Sequence, residues 1–179
     1  MNQSGCDGAA WGMVDTPLGR VGVRWRGDVV ISVSLDPDAV MKSARRSASP
    51  PDPVQALAPA TVTSPPDWLV QQIQTYCRQP DFSFSLTTSP AGTEFQRRVW
   101  RLIAAIPAGC TRTYSELAAE LGSSPRAVGG ACRANPYPLL VPCHRVVAVN
   151  GLGGFAGDTG GRLLAFKRRL LAHEGVISA

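Results

Sequence analysis

The spacing of apolar residues along this chain changes period near its middle. Val21, Val23 and Trp25 alternate with Gly22 and Arg24, and Val29-Val30-Ile31-Ser32-Val33-Ser34-Leu35 is a second β-rich run. These read as two antiparallel strands around a turn at Gly27-Asp28, with an earlier turn at Asp15-Thr16-Pro17-Leu18-Gly19 and a stop at Asp36-Pro37-Asp38. Phe82-Ser83-Phe84-Ser85-Leu86 alternates again and predicts a third strand. Between them, Asp67 reads as the cap of a helix from Trp68 to Arg78 with Leu69, Ile73 and Tyr76 on one face.

From Thr93 onward the period is helical. Thr93 with Gln96 forms a capping box, and Phe95, Val99, Leu102, Ile103 and Ile106 recur on one face until Pro107-Ala108-Gly109. Thr113-Tyr114-Ser115 opens a short helix that Gly122 ends. Ser124-Pro125 opens another, which Pro136 closes. Two short helices with a tight glycine-containing turn form a helix-turn-helix pattern. A last helix spans Arg162 to His173, with Leu163, Phe166, Leu170 and Leu171 inward and Lys167, Arg168 and Arg169 projecting. The fold class is α+β. Residues 1–90 form a unit with a small antiparallel sheet, and residues 91–179 form a mainly helical unit. Residues 43–66, rich in Ser, Ala and Pro, read as a mobile loop.

Composition adds constraints. The chain has 179 residues, 44% of them hydrophobic, as a globular protein requires. No run of about twenty apolar residues predicts a membrane span, and no secretory signal pattern opens the chain, so a cytoplasmic protein is expected. Residues 1–90 hold 7 Lys and Arg against 8 Asp and Glu, whereas residues 91–179 hold 11 against 5. The positive excess therefore lies wholly in the second half, where it fits either a solvated basic face or a phosphate-contacting one. The five cysteines, Cys6, Cys77, Cys110, Cys132 and Cys143, are scattered, odd in number and without zinc-ligand spacing. No metal and a reducing compartment are expected.

The chemistry centres on Val141-Pro142-Cys143-His144-Arg145-Val146. Only the thiolate of a cysteine is a strong nucleophile, and a neighbouring imidazole favours it. A second feature is Ala127-Val128-Gly129-Gly130-Ala131. Each glycine weakens a helix by about 1 kcal/mol relative to Ala, so the pair implies a close approach to the backbone. The visitor is either a packed neighbouring helix or a nucleic-acid backbone, with Arg126 and Arg133 at the two ends.

Pro142-Cys143-His144-Arg145-Val146 resembles the active-site motif of the O6-alkylguanine-DNA alkyltransferases, the methylated-DNA–protein-cysteine methyltransferases. Gly92-Thr93-Glu94-Phe95-Gln96, Ile106-Pro107-Ala108-Gly109, Thr113-Tyr114, Arg126–Ala131, Asn135-Pro136 and Leu170–Gly175 match in order, covering residues 92–175. The resemblance implies a ribonuclease H-like N-terminal domain and repair of double-stranded DNA containing alkylated guanine by a monomer without cofactor. It implies that Cys143 accepts the alkyl group once, irreversibly, with His144 as base through a water and Glu174 orienting it. His173 is then a surface or packing residue. It places Tyr114 beside the target phosphate and guanine, Lys167 near the pocket, and Asn135 at the hinge between recognition helix and active site. Arg126 becomes the finger that fills the gap left by a flipped base. Gln96, Ser115, Ser123, Ala127, Gly129, Gly130 and Arg133 complete the DNA-binding set, and Pro138, Val146, Phe155, Ala156 and Gly157 the substrate pocket. The chain departs from the family at Phe155 and Ala156, where a tyrosine and a serine are usual, and in a longer loop through Asp158-Thr159-Gly160-Gly161. Two other classes remain open on the residues alone: a non-catalytic lesion-binding or regulatory module, and a thiol hydrolase.

Overall fold

The computed structural model describes residues 9–38, 61–157 and 160–178. Its fold is mixed α+β. Strands β1 (Ala10–Thr16), β2 (Gly19–Arg26) and β3 (Val29–Ser34) form an antiparallel meander. Two-residue strands β4 (Thr61–Val62) and β5 (Thr87–Thr88) pair in parallel at its edges, in the order β4-β1-β2-β3-β5. The helices are α1 (Asp67–Arg78), α2 (Glu94–Ala104), α3 (Tyr114–Leu121), α4 (Pro125–Arg133) and α5 (Arg162–His173). A second small sheet pairs β6 (Arg112–Thr113) with β7 (Val146–Val147). No described helix is long and apolar enough to cross a membrane.

Local chemistry explains most of the helix ends. Thr93 and Gln96 make both halves of a capping box, as do Thr113 and Glu116. Ser124 accepts from the Ala127 amide with Pro125 in the first turn, and Gly122 ends α3 at φ 60°. One helix end differs from expectation. The α1 cap is Pro66, and Asp67 is the first helical residue, where its charge favours the helix dipole.

The strands required more correction. β1 is absent from the predicted set, and the turn after it narrows to Pro17-Leu18. The predicted loop over residues 43–66 lies outside the described residues as far as residue 60, and its end contains β4. Phe82–Leu86 is not a strand. Its alternation is real, since Phe82, Phe84 and Leu86 pack against the core. The Gln72 side chain, however, takes the place of a strand partner, accepting from the Ser85 amide at 2.8 Å and donating to the Ser85 carbonyl at 3.1 Å.

One hydrophobic core runs through both halves. Val14, Val21, Val23 and Val30 from the sheet join Leu69, Ile73 and Tyr76 of α1, then Val99, Ile103, Leu117, Val128 and Leu170. Each such fully buried aliphatic contributes about 1.5–3 kcal/mol. Two links then tie the sheet to the segment that carries Cys143: the Val33 amide donates to the Pro136 carbonyl at 2.8 Å, and the Tyr137 hydroxyl to the Ser89 carbonyl.

The opposite sheet face is closed by Trp11, and Gly22 makes room for it. A Cβ at Gly22 would come within 2.4 Å of the Trp11 ring and 2.9 Å of the Pro37 Cβ. Gly22→Ala is expected to destabilise the protein by about 1–3 kcal/mol through overpacking. Thermal unfolding should register this as a Tm lowered by several degrees.

Candidate active site and nucleic-acid interface

The segment that carries Cys143 begins where α4 ends. Asn135 follows the helix, and its side chain spans the turn that Pro136 opens. Its Nδ2 donates to the Val141 carbonyl at 2.8 Å and to Cys143 Sγ at 3.3 Å, while its Oδ1 accepts from the Tyr137 amide at 3.0 Å. Leu139 adopts φ 77° to make the bend, a strained conformation for a branched residue. Pro142, at φ −78° and ψ 64°, is the centre of an inverse γ-turn closed by the Cys143 amide on the Val141 carbonyl at 2.8 Å. One turn of 3-10 helix, Cys143–Arg145, then presents three side chains before β7.

Behind Cys143 lies a closed hydrogen-bond chain. His144 Nε2 sits 2.9 Å from Glu174 Oε1. A carboxylate only accepts, so the Nε2 carries the proton and Nδ1 of a neutral ring is the basic nitrogen. Nδ1 is buried and has no hydrogen-bond partner among the described residues. Arg145 grips Glu174 with two bonds, Nε to Oε2 at 2.9 Å and Nη2 to Oε1 at 2.8 Å, and donates through Nη1 to the Ile106 carbonyl. The Tyr76 hydroxyl adds a fourth bond to Glu174, at 2.8 Å to Oε1. Neither Arg145 nor Tyr76 was picked out from the sequence. Arg145 lay inside the motif that drew attention to its neighbours, whereas Tyr76 lies 98 residues from its partner and gave no signal beyond its apolar face.

The charge states follow from burial and partners. Burial pushes the Glu174 carboxyl up, but the bonds from His144 and Arg145 and their charges outweigh it and hold the group down at about 2. Burial pushes His144 below the ordinary imidazole range against the pull of Glu174, and Arg145 and Lys167 add to the lowering. Cys143 is pushed up by burial, while the Asn135 amide and the Lys167 charge act the other way. At neutral pH the resting set is a thiol, a neutral imidazole and a carboxylate paired with a guanidinium.

Lys167 does not project with its neighbours on α5. It is fully buried, and its ammonium donates to the carbonyls of Val146 and Leu152, both at 2.6 Å, and of Gly154 at 3.2 Å. Burial lowers it to about 8. All three donors are spent on main chain, so Lys167 fastens β7 to the glycine-rich loop. Tyr114, from the first turn of α3, donates to the same Gly154 carbonyl at 3.1 Å. Burial raises its phenol, which therefore stays protonated at neutral pH.

In front of Cys143 is an open, mostly apolar cleft of about 300 Å³ lined by Tyr114, Gly129, Cys132, Arg133, Phe155 and Gly157 among others. A smaller cavity of about 130 Å³ adjoins it behind Cys132, Cys143 and Phe155, and Pro138 belongs to this one. Ala156 borders both cavities at φ 49°. Val146 lines neither; it is fully buried and contributes its carbonyl to Lys167. Arg133 lies against Gly157, where a Cβ would come within 2.8 Å of its Nε. Asp158 and Thr159 of the longer loop are outside the described residues.

The outer face of α4 settles one alternative. A Cβ added at Gly129 or Gly130 would meet nothing within 4 Å among the described residues, so no described helix requires the glycine pair. Arg126, Ser123, Ser115 and Gly130 are exposed around it, and Ala127 and Gly129 half-buried. Gln96 is half-buried and occupied in its capping box, its Oε1 accepting from the Thr93 amide at 2.8 Å. His173 bonds the Tyr76 carbonyl at 2.9 Å and packs edge-on against the Tyr76 ring, away from the thiol. Among the described residues no cluster of three or more His, Cys, Asp or Glu side chains is arranged to hold a metal.

The chain is similar to known proteins in both sequence and fold. The family model for the 6-O-methylguanine DNA methyltransferase, DNA binding domain, matches residues 94–176. The methylated-DNA–protein-cysteine methyltransferase of Methanothermobacter thermautotrophicus is 38% identical over 161 residues, covering 89% of this chain and 82% of that protein. The Salmonella typhimurium protein of the same name is 47% identical over 96 residues, 52% of this chain and 53% of its own. Among solved structures, Mycobacterium tuberculosis OGT in complex with DNA matches with a TM-score of 0.69 at 28% identity, covering 93% of both chains. With a cysteine beside a buried histidine–glutamate pair and a 38%-identical relative that covers most of both chains, the chain belongs to the methylated-DNA–protein-cysteine methyltransferase family.

Proposed function

We propose that this protein repairs DNA by transferring the alkyl group of O6-alkylguanine, and of O4-alkylthymine, to Cys143 in one irreversible event per molecule. The observation that carries the reading is the pairing of an acceptor-ready imidazole nitrogen, His144 Nδ1, with a thiol on the adjacent residue that opens on a cleft. A water bridging Nδ1 and Sγ takes the thiol proton to His144. The thiolate attacks the alkyl carbon in line, the carbon–O6 bond breaks, and its electron pair stays with the base. The proton lost by the thiol balances the one the released guanine gains. The product is a thioether, a poor leaving group, and no described group is placed to reverse it. Glu174 stabilises the imidazolium formed on the way.

A stacked base cannot reach this sulfur, so the target nucleotide is flipped into the cleft, at a cost of a few kcal/mol. In this reading α3 and α4 act as a helix-turn-helix whose open glycine face admits the minor-groove backbone. Arg126 fills the gap in the duplex, and Ser115, Ser123, Ala127, Arg133 and Gln96 flank it. Tyr114 remains a phenol that donates to the flipped guanine. Phe155, Ala156 and Gly157 border the base and Pro138 its alkyl end. Residues 91–179 then form the DNA-binding and acceptor unit, and residues 1–90 a ribonuclease H-like unit that supports it. The protein acts as a cytoplasmic monomer.

The direct test is mass spectrometry after incubation with duplex DNA containing O6-methylguanine. One methyl group should appear on the peptide containing Cys143 and none on a Cys143→Ala variant; an unmodified wild-type protein would refute the reading. Arg126→Ala should slow repair in duplex at least tenfold while changing the reaction with free O6-benzylguanine less than about twofold, because only the duplex has a gap to fill. Gly130→Leu should separate folding from binding. Thermal unfolding should show an unchanged or slightly raised Tm, since Leu favours a helix by somewhat under 1 kcal/mol over Gly, Gly130 is exposed, and an added Cβ meets no described atom within 4 Å. Titration should show duplex affinity reduced at least tenfold.

A further inference from the structure

Tyr76 stands outside every motif that carries the chemistry. It belongs to α1, in the first half of the chain, yet its hydroxyl is 2.8 Å from Glu174 Oε1 and its ring is 1% exposed. The same oxygen takes His144 Nε2 at 2.9 Å and Arg145 Nη2 at 2.8 Å, so three donors share one carboxylate oxygen. A phenol in an apolar core needs some partner, and many acceptors would satisfy it. This one is the carboxylate that fixes the histidine.

We propose that Tyr76 is a positioning residue for alkyl transfer, which sets the orientation and proton affinity of His144 through Glu174. The proposal rests on His144 as the base in the reading above. A donor on the carboxylate disperses its negative charge and weakens its hold on the Nε2 proton. Without the phenol, Glu174 stabilises the imidazolium more strongly, and the neutral base is lost at a higher pH. The other groups facing His144 are Arg145 and Lys167, which oppose its protonation, and Glu174, which favours it. Around Tyr76 stand Glu174, Arg145, Cys77 and the ring of His173. Burial and the Glu174 charge both push the phenol well above its ordinary range, so it stays a donor wherever the protein is folded. The arrangement also gives α1 a direct part in the acceptor site.

The test is the pH dependence of single-turnover methyl transfer from O6-methylguanine duplex to wild type, Tyr76→Phe and His173→Ala. Phe keeps the ring and its packing against Phe84 and His173. Tyr76→Phe should slow transfer about 3- to 10-fold at neutral pH and move the acid limb of the profile up by about half a pH unit or more. Binding to unmodified duplex should stay unchanged. His173→Ala removes a bond to the Tyr76 main chain and a ring contact without touching Glu174, so it should lower Tm and leave the acid limb in place. An acid limb in Tyr76→Phe that coincides with wild type would overturn the proposal, as would an equal shift in His173→Ala. Absence of transfer by wild type would instead refute the proposed function, so the two failures are distinguishable.

Discussion

A buried carboxylate organises this protein. Removing an ion such as Glu174 from water costs several kcal/mol even after relaxation, and the cost is tolerable only with good geometry and full hydrogen bonding. Glu174 has both, with four bonds from Tyr76, His144 and Arg145 to a side chain shielded from solvent. Those donors come from α1 and the 3-10 turn, while Glu174 itself caps α5. The carboxylate can stay charged only if all three elements are in place, so forming it assembles the site. The electrostatic requirement also determines the tautomer, because an acceptor-only partner leaves His144 Nδ1 free to accept.

The site is closed behind the sulfur and open in front of it. Lys167 extends the closed side by fastening β7 and the glycine-rich loop with three main-chain bonds. Asn135 extends it to the end of α4, so the helix with the open glycine face and Cys143 share one rigid joint. The open side is defined by absent side chains. Gly129 and Gly130 forgo helix propensity where an added Cβ would meet no described neighbour. Stability at these positions is lower than alanine would give, and in the proposed reading the DNA backbone accounts for the sacrifice.

What the sequence disclosed, and what it concealed, follows from the range of the interactions. The ends of α2, α3 and α4 were legible because capping acts over three residues, as between Thr93 and Gln96 or Thr113 and Glu116. The cysteine and histidine of the candidate site were legible because they are neighbours in one motif. β4 and β5 were not, because each pairs only two residues in parallel with a distant strand. Phe82–Leu86 misled because alternating burial and strand pairing are separable, and Gln72 supplied the bonds of a missing strand. Lys167 looked like its exposed neighbours Arg168 and Arg169, and only three carbonyls from remote segments make its burial tolerable. Tyr76 was hidden for the same reason.

Two thiols line the cleft, and burial has raised both, Cys132 to about 12. A low resting pKa therefore does not distinguish the acceptor. What differs is the route by which the proton leaves. Cys143 has the Asn135 amide on its sulfur and, on the next residue, an imidazole whose basic nitrogen has no partner among the described residues. Cys132 sits on α4, where burial and the nearby Cys143 both oppose its ionisation and the Lys167 charge alone favours it. In the proposed mechanism the thiolate forms only as the proton passes to His144, so nucleophilicity appears at Cys143 and not at Cys132. A sulfur held as thiol until then is also protected from stray electrophiles, which matters for a protein that can use it once.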